Sequence, residues 1–86
     1  MLITKQTVAD KIAAYLHHQL TLEQLVDWAE SVFMDAEFAE EDMDVLRAVV
    51  SRLGVADVRG FGLTWEDCEA FLRQLGYSAR VDIVAA

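Results

Sequence analysis

Three short phrases of the same construction recur along this chain, and each marks the start of a helix. They are Ile3-Thr4-Lys5-Gln6-Thr7-Val8, Leu20-Thr21-Leu22-Glu23-Gln24-Leu25 and Leu63-Thr64-Trp65-Glu66-Asp67-Cys68. In each, an apolar residue precedes a Thr, a polar residue follows three places later, and an apolar residue comes next. The Thr hydroxyl accepts an otherwise unpaired N–H of the first turn. The polar side chain three residues on accepts the N–H of the Thr, and the two apolar residues meet across the turn. The match is best at Thr21/Gln24, good at Thr64/Asp67 and weaker at Thr4/Thr7. A chain of 86 residues with three such starts and no proline has little room for long loops, and one small helical domain is the expected result.

Hydrophobic spacing gives the helices their extent. The first spans about residues 5–18, with Val8, Ile12 and Leu16 on its apolar stripe, Ala9 beside them and Tyr15 on the flank. The second spans about 22–36, where Leu22, Leu25, Val26, Ala29, Val32, Phe33 and Ala36 make a broad apolar face with Trp28 at its edge. Glu23, Asp27 and Glu30 project from the opposite side, and Met34 falls among them. The third spans about 40–53, with Met43, Leu46, Val49, Val50 and Leu53 facing inward and Glu40, Glu41 and Asp42 in its first turn. The fourth spans about 65–75 with Cys68, Phe71, Leu72 and Leu75 inward. Gly54 and Gly76 follow the third and fourth helices, where each is expected to supply a left-handed cap. Val55 to Gly62 connects the two, with a turn of helix or a short extended piece at Val55–Val58.

The segment at about 77–84 alternates apolar and polar residues, a strand pattern or an extended tail. The expected fold is therefore mainly α: a compact four-helix domain with a short C-terminal strand or tail. A strand needs a ladder partner. Met1–Ile3, Val55–Val58 or the same tail of a second copy could supply it, and a second copy, giving a homodimer, is the favoured choice.

Charge is distributed unevenly. The formal net charge is −8, and residues 12–46 contain nine acids and neither Lys nor Arg. Elsewhere the two signs balance to within one charge. Such a segment repels nucleic acid phosphates and favours a basic protein partner. The same acids would also serve as an ordinary solvated face. Partner-binding residues are accordingly expected at Glu23, Asp27, Glu30, Met34, Asp35, Glu37, Glu40 and Glu41, with Met34 a soft apolar contact among carboxylates. The N-terminus has no basic region followed by an apolar run, and no stretch approaches the length of a membrane span. A cytoplasmic protein that binds neither membrane nor nucleic acid is expected.

The patterns that carry chemistry are missing. Asp35 to Leu46 fails as a calcium loop, because it has no glycine at the turn, Ala39 stands at a ligand position and Leu46 occupies the place of the bidentate Glu. His17 and His18 are adjacent, so they point about 100° apart on a helix and cannot readily grip one ion. The single cysteine excludes an intrachain disulfide and a Cys-based zinc site. Cys68 stands near a helix N-terminus, but Glu66, Asp67 and Glu69 surround it with charge that opposes a thiolate, so a core role is expected. With no phosphate-cradling loop and no nucleophile elbow, neither a catalytic site nor a cofactor is expected.

The segment Leu22-Glu23-Gln24-Leu25-Val26-Asp27-Trp28-Ala29-Glu30 resembles a helix common in small acidic bacterial proteins, among them immunity proteins that neutralise toxins. The resemblance extends to size, acidity and helical content. It lacks the two-helix motif and the tyrosine pair of nuclease-colicin immunity proteins, since Tyr15 and Tyr77 lie far apart, and it assigns no functional residue. It implies an interaction module whose sharpest form is an immunity- or antitoxin-like inhibitor of a basic protein. The alternative is a structural or regulatory homodimer joined through residues 77–86. Contacts at residues 23–44 would mark the first and contacts in the tail the second.

Overall fold

All three Thr phrases cap helices in the computed structural model, which describes residues 2–57, 62–80 and 83. Thr4 precedes α1 (Lys5–Leu16), Thr21 precedes α2 (Leu22–Asp35) and Thr64 precedes the last helix (Trp65–Gln74), each closing a reciprocal capping box. The Gln24 N–H donates to Thr21 Oγ1 at 3.1 Å and the Thr21 N–H donates to Gln24 Oε1 at 2.9 Å. The weakest sequence match has the longest return bond, 3.3 Å from the Thr4 N–H to Thr7 Oγ1. The apolar residue that closes each phrase, Val8, Leu25 or Cys68, is fully buried. The cap thus fixes where each helix enters the core as well as where it starts.

The remaining helix, α3 (Met43–Leu53), has no side-chain cap. The segment expected to open it as α-helix, Glu40–Asp42, is instead a turn of 3₁₀ helix. Those three acids still occupy the positive end of the helix dipole. We number the last helix, Trp65–Gln74, α4. Among the described residues, α2 packs most extensively on α3, while α1 touches α2, α3 and α4. One core, with Ile3, Ile12, Leu25, Leu46, Leu53 and Leu75 fully buried, lies between the helices. The radius of gyration, 12.8 Å, is close to the ~12 Å expected of a compact chain of this length.

Helix ends differ from the sequence expectation in four places, the smallest at α2, which stops at Asp35 one residue short. α1 stops at Leu16 instead of 18, because His18 adopts φ 62°. Its N–H donates to the Tyr15 carbonyl and the Gln19 N–H donates to the Ala14 carbonyl, the paired bonds of a Schellman cap with His in the usual glycine position. α4 stops at Gln74 with the same pair of bonds, Gly76 to Arg73 and Tyr77 to Leu72, and Gly76 at φ 91°. Gly54 is not a left-handed cap. Its φ is −65°, and the chain continues into a tight turn over residues 54–57.

Of the C-terminal segment expected as a strand or an extended tail, residues 77–80 and 83 are described. Residues 77–80 form no strand, since the Tyr77 N–H is already used to close α4, and half-buried Ala79 packs on the core. Residues 81, 82 and 84–86, which complete the expected tail, and Val58 lie outside the described residues. The ladder forms elsewhere: β1 (Leu2–Ile3) pairs in parallel with β2 (Glu37–Phe38), Leu2 opposite Glu37 and Ile3 opposite Phe38. Parallel strands need a long crossover, and here α1 and α2 together provide it. The Ala39 N–H extends the pairing to the Ile3 carbonyl at 2.9 Å, and Lys5 meets Asp42 at 3.8 Å. The N-terminus is thereby tied to the corner after α2.

Candidate functional site: the acidic face of α2 and the corner after it

Glu23, Asp27, Glu30 and Met34 follow one another at spacings of four, three and four, which places them within about 60° of one another around the helix. They form a single stripe along α2, directly opposite the buried face of Leu25, Ala29 and Val32. Asp35 is the last residue of the helix and is turned about 100° from Met34. Glu37 stands in β2, and Glu40 and Glu41 in the 3₁₀ turn. All eight residues are exposed, Met34 to 83%. Among the described residues none of these seven acids makes an ion pair; the three bridges present join Lys5 to Asp42, Arg52 to Asp67 and Arg73 to Glu69.

The stripe is unfavourable to its own helix. Glu23 and Asp27 are like charges at i,i+4, and Asp35 places a carboxylate at the negative end of the dipole, where a cation would suit it. Lys11, the nearest preceding cation in sequence, lies 5.5 Å from the ring centroid of Trp28. There it joins α1 to α2 on another side of the helix, away from the stripe.

One apolar residue of this face escapes the sequence pattern. Phe33 fits the buried stripe of α2, yet it is 44% exposed. It borders two depressions. The first, of about 420 Å³, has a floor of Ala29, Val50 and Gly54, with Phe33, Met34 and Val55 as walls and Glu30 at the rim. The second, of about 540 Å³, is reached past Phe33, whose ring meets that of Phe38 edge-on at 6.4 Å, and is bordered by Leu2, Met43, Glu37, Glu40 and Arg47. Three of the five exposed large hydrophobic residues among those described, Leu2, Phe33 and Met34, therefore stand on this one face. Local periodicity could not reveal this, because it places Phe33 on the buried stripe of α2 and carries no information on how α3 packs beside it.

A third depression, of about 670 Å³, lies between the end of α1, α4 and the tail, and brings Asp10, His17, His18, Trp65, Tyr77 and Arg80 around one opening. It unites both histidines with a carboxylate, a juxtaposition the sequence did not suggest. Among the described residues no group of three or more His, Cys, Asp or Glu is arranged to hold a metal ion. Cys68 is fully buried, and desolvation, with a smaller contribution from the Asp67 charge, pushes its thiol up to about 11. Asp67 is shifted the other way, chiefly by the hydrogen bond it accepts from the Thr64 N–H, with help from the Thr64 hydroxyl and Arg52. Both residues thus serve the start of α4. No helix among the described residues is long and apolar enough to cross a membrane.

Comparison with protein-family models, with curated proteins and with solved structures finds no match to this chain.

Proposed function

We propose that this chain is an acidic protein-interaction module that binds a basic protein through α2 and the corner after it, with immunity- or antitoxin-like inhibition as the sharpest form of that role. The observation that carries the reading is the single exposed stripe of Glu23, Asp27, Glu30 and Met34, continued by Glu37, Glu40 and Glu41 and unpaired with any cation among the described residues. A one-signed face of this kind raises the encounter rate with a cationic partner and sets its orientation. Its carboxylates are free to pair because no ion pair to them exists among the described residues.

The test is affinity purification of a partner from native extract on the immobilised full-length chain, followed by binding kinetics on the purified pair. Association should slow steeply as salt shortens the Debye length from about 10 Å at 0.1 M toward about 3 Å at 1 M. Replacing Asp27, Glu30 and Glu37 by Asn, Gln and Gln should slow association about tenfold while the fold stays intact. A partner whose binding ignores both salt and these substitutions would overturn the reading.

A further inference from the structure

We infer that the partner presents a cationic amphipathic helix to this face, its apolar side seated in the groove between α2 and the C-terminal end of α3 and its Lys or Arg residues over the surrounding carboxylates. The inference rests on the proposed function and specifies the partner element that would use the site. Three observations combine. The first is apolar: Phe33 and Met34 stand exposed beside a floor of Ala29 and Gly54, and Phe33 joins this groove to the depression at Leu2 and Phe38. Large exposed apolar groups gathered on one face mark contact surfaces, and a flexible Met adapts to the chain it meets.

The second is shape. The groove runs between two packed helices, and the small residues Ala29, Ser51 and Gly54 in its lining let a third helix approach closely and set its side-chain ridge between them. The third is charge. Glu30 borders the groove and Glu37 and Glu40 border the adjoining depression, against Arg47 alone among the described residues. A second copy seated here by two-fold symmetry would bring six such carboxylates against two guanidinium groups. A helix with Lys or Arg flanking an apolar side meets both features together.

The experiment titrates the isotopically labelled full-length chain with a peptide of about 18 residues, long enough to hold a helix, built from Leu and Lys with Leu at helical spacing. Two companions complete it: the same composition scrambled so that no apolar side forms, and a Leu and Glu version of the ordered peptide. The ordered Leu and Lys peptide should bind at least about tenfold more tightly than either companion, with amide shifts concentrated at residues 29–38 and 47–55. Met34→Gln, and Gly54→Leu to fill the groove, should each weaken it by about tenfold with little change in thermal midpoint.

If the scrambled peptide binds equally, with shifts confined to the acidic stripe, the groove inference falls and the acidic reading stands. If the Leu and Glu peptide binds as well as the cationic one, the cationic partner falls and with it the proposed function. Binding by no peptide overturns both. Met34-dependent self-association of the free chain would make a second copy the occupant and overturn the inference.

Discussion

Asp67 and Cys68 are neighbours in the first turn of α4, and that turn moves their protons in opposite directions. Asp67 accepts the Thr64 N–H at 3.0 Å, so its ionised form is favoured and its pKa lies below the ordinary 3.8. Its contribution to stability is present above pH 3.8 and is lost as the pH falls through its lower folded value. Cys68 is buried beside that carboxylate, so its neutral form is favoured and its pKa rises from 9.0 to about 11. Above pH 9.0 the unfolded chain releases this proton before the folded one does, so stability falls as the pH rises toward 11. Denaturation measured across pH should show both limbs. Asp67→Asn should flatten the acid limb and Cys68→Ala the alkaline one, each by comparison with the parent chain. Alkylation at neutral pH should be slow in the folded protein and fast after unfolding, because the thiol is covered and un-ionised. Rapid labelling of the native chain would mean that the first turn of α4 opens.

At the scale of the elements, two glycines that look alike in sequence behave differently at their helix ends. Gly76 has φ 91°, a conformation that strains any residue with a Cβ, whereas Gly54 has φ −65° and a Cβ there would meet nothing closer than the Val50 carbonyl oxygen at 3.5 Å. Gly76→Ala should therefore cost about 1–2 kcal/mol. Gly54→Ala should be neutral or stabilise by about 0.4–1 kcal/mol, through reduced freedom of the unfolded chain. Thermal or chemical denaturation of the two variants checks both signs, and a matched loss in each would show that Gly54 also needs a left-handed conformation. The sequence alone does not separate these positions, since each Gly follows an apolar helical stripe and the difference lies in where the chain goes next. Conversely, the His18 cap carries no glycine to announce it. The three Thr starts were legible because both partners of each bond lie three residues apart. The β1–β2 pair was not, because two residues cannot display a period of two and their partners lie 35 positions apart. The alternation at residues 77–80 is real, but its first N–H is taken by α4 and Ala79 packs on the core. The acidic stripe was readable from helical spacing, whereas the groove beside it arises only once α2 lies against α3.

Over the whole molecule, the charge opposes the fold that carries it. The formal charge of −8 comes from residues 12–46, a segment with no Lys or Arg, and its stripe places Glu23 and Asp27 one helical turn apart. Such a pair costs a helix about 0.2–0.5 kcal/mol, and Asp35 at the dipole's negative end costs about 0.3–1 kcal/mol. Removing these charges should therefore stabilise the chain. Asp35→Asn, and the Asp27, Glu30 and Glu37 substitutions together, are each expected to raise the thermal midpoint by about 2–6 °C at low salt. Added salt should raise the parent's midpoint by screening the same repulsion, and should raise the triple variant's less. Calorimetry at low and high salt measures both changes. The two effects must run together: a triple variant that melts lower than the parent would show that these acids are paired within the molecule, whereas one that melts higher while binding its partner more slowly would place the stripe's cost on the side of recognition.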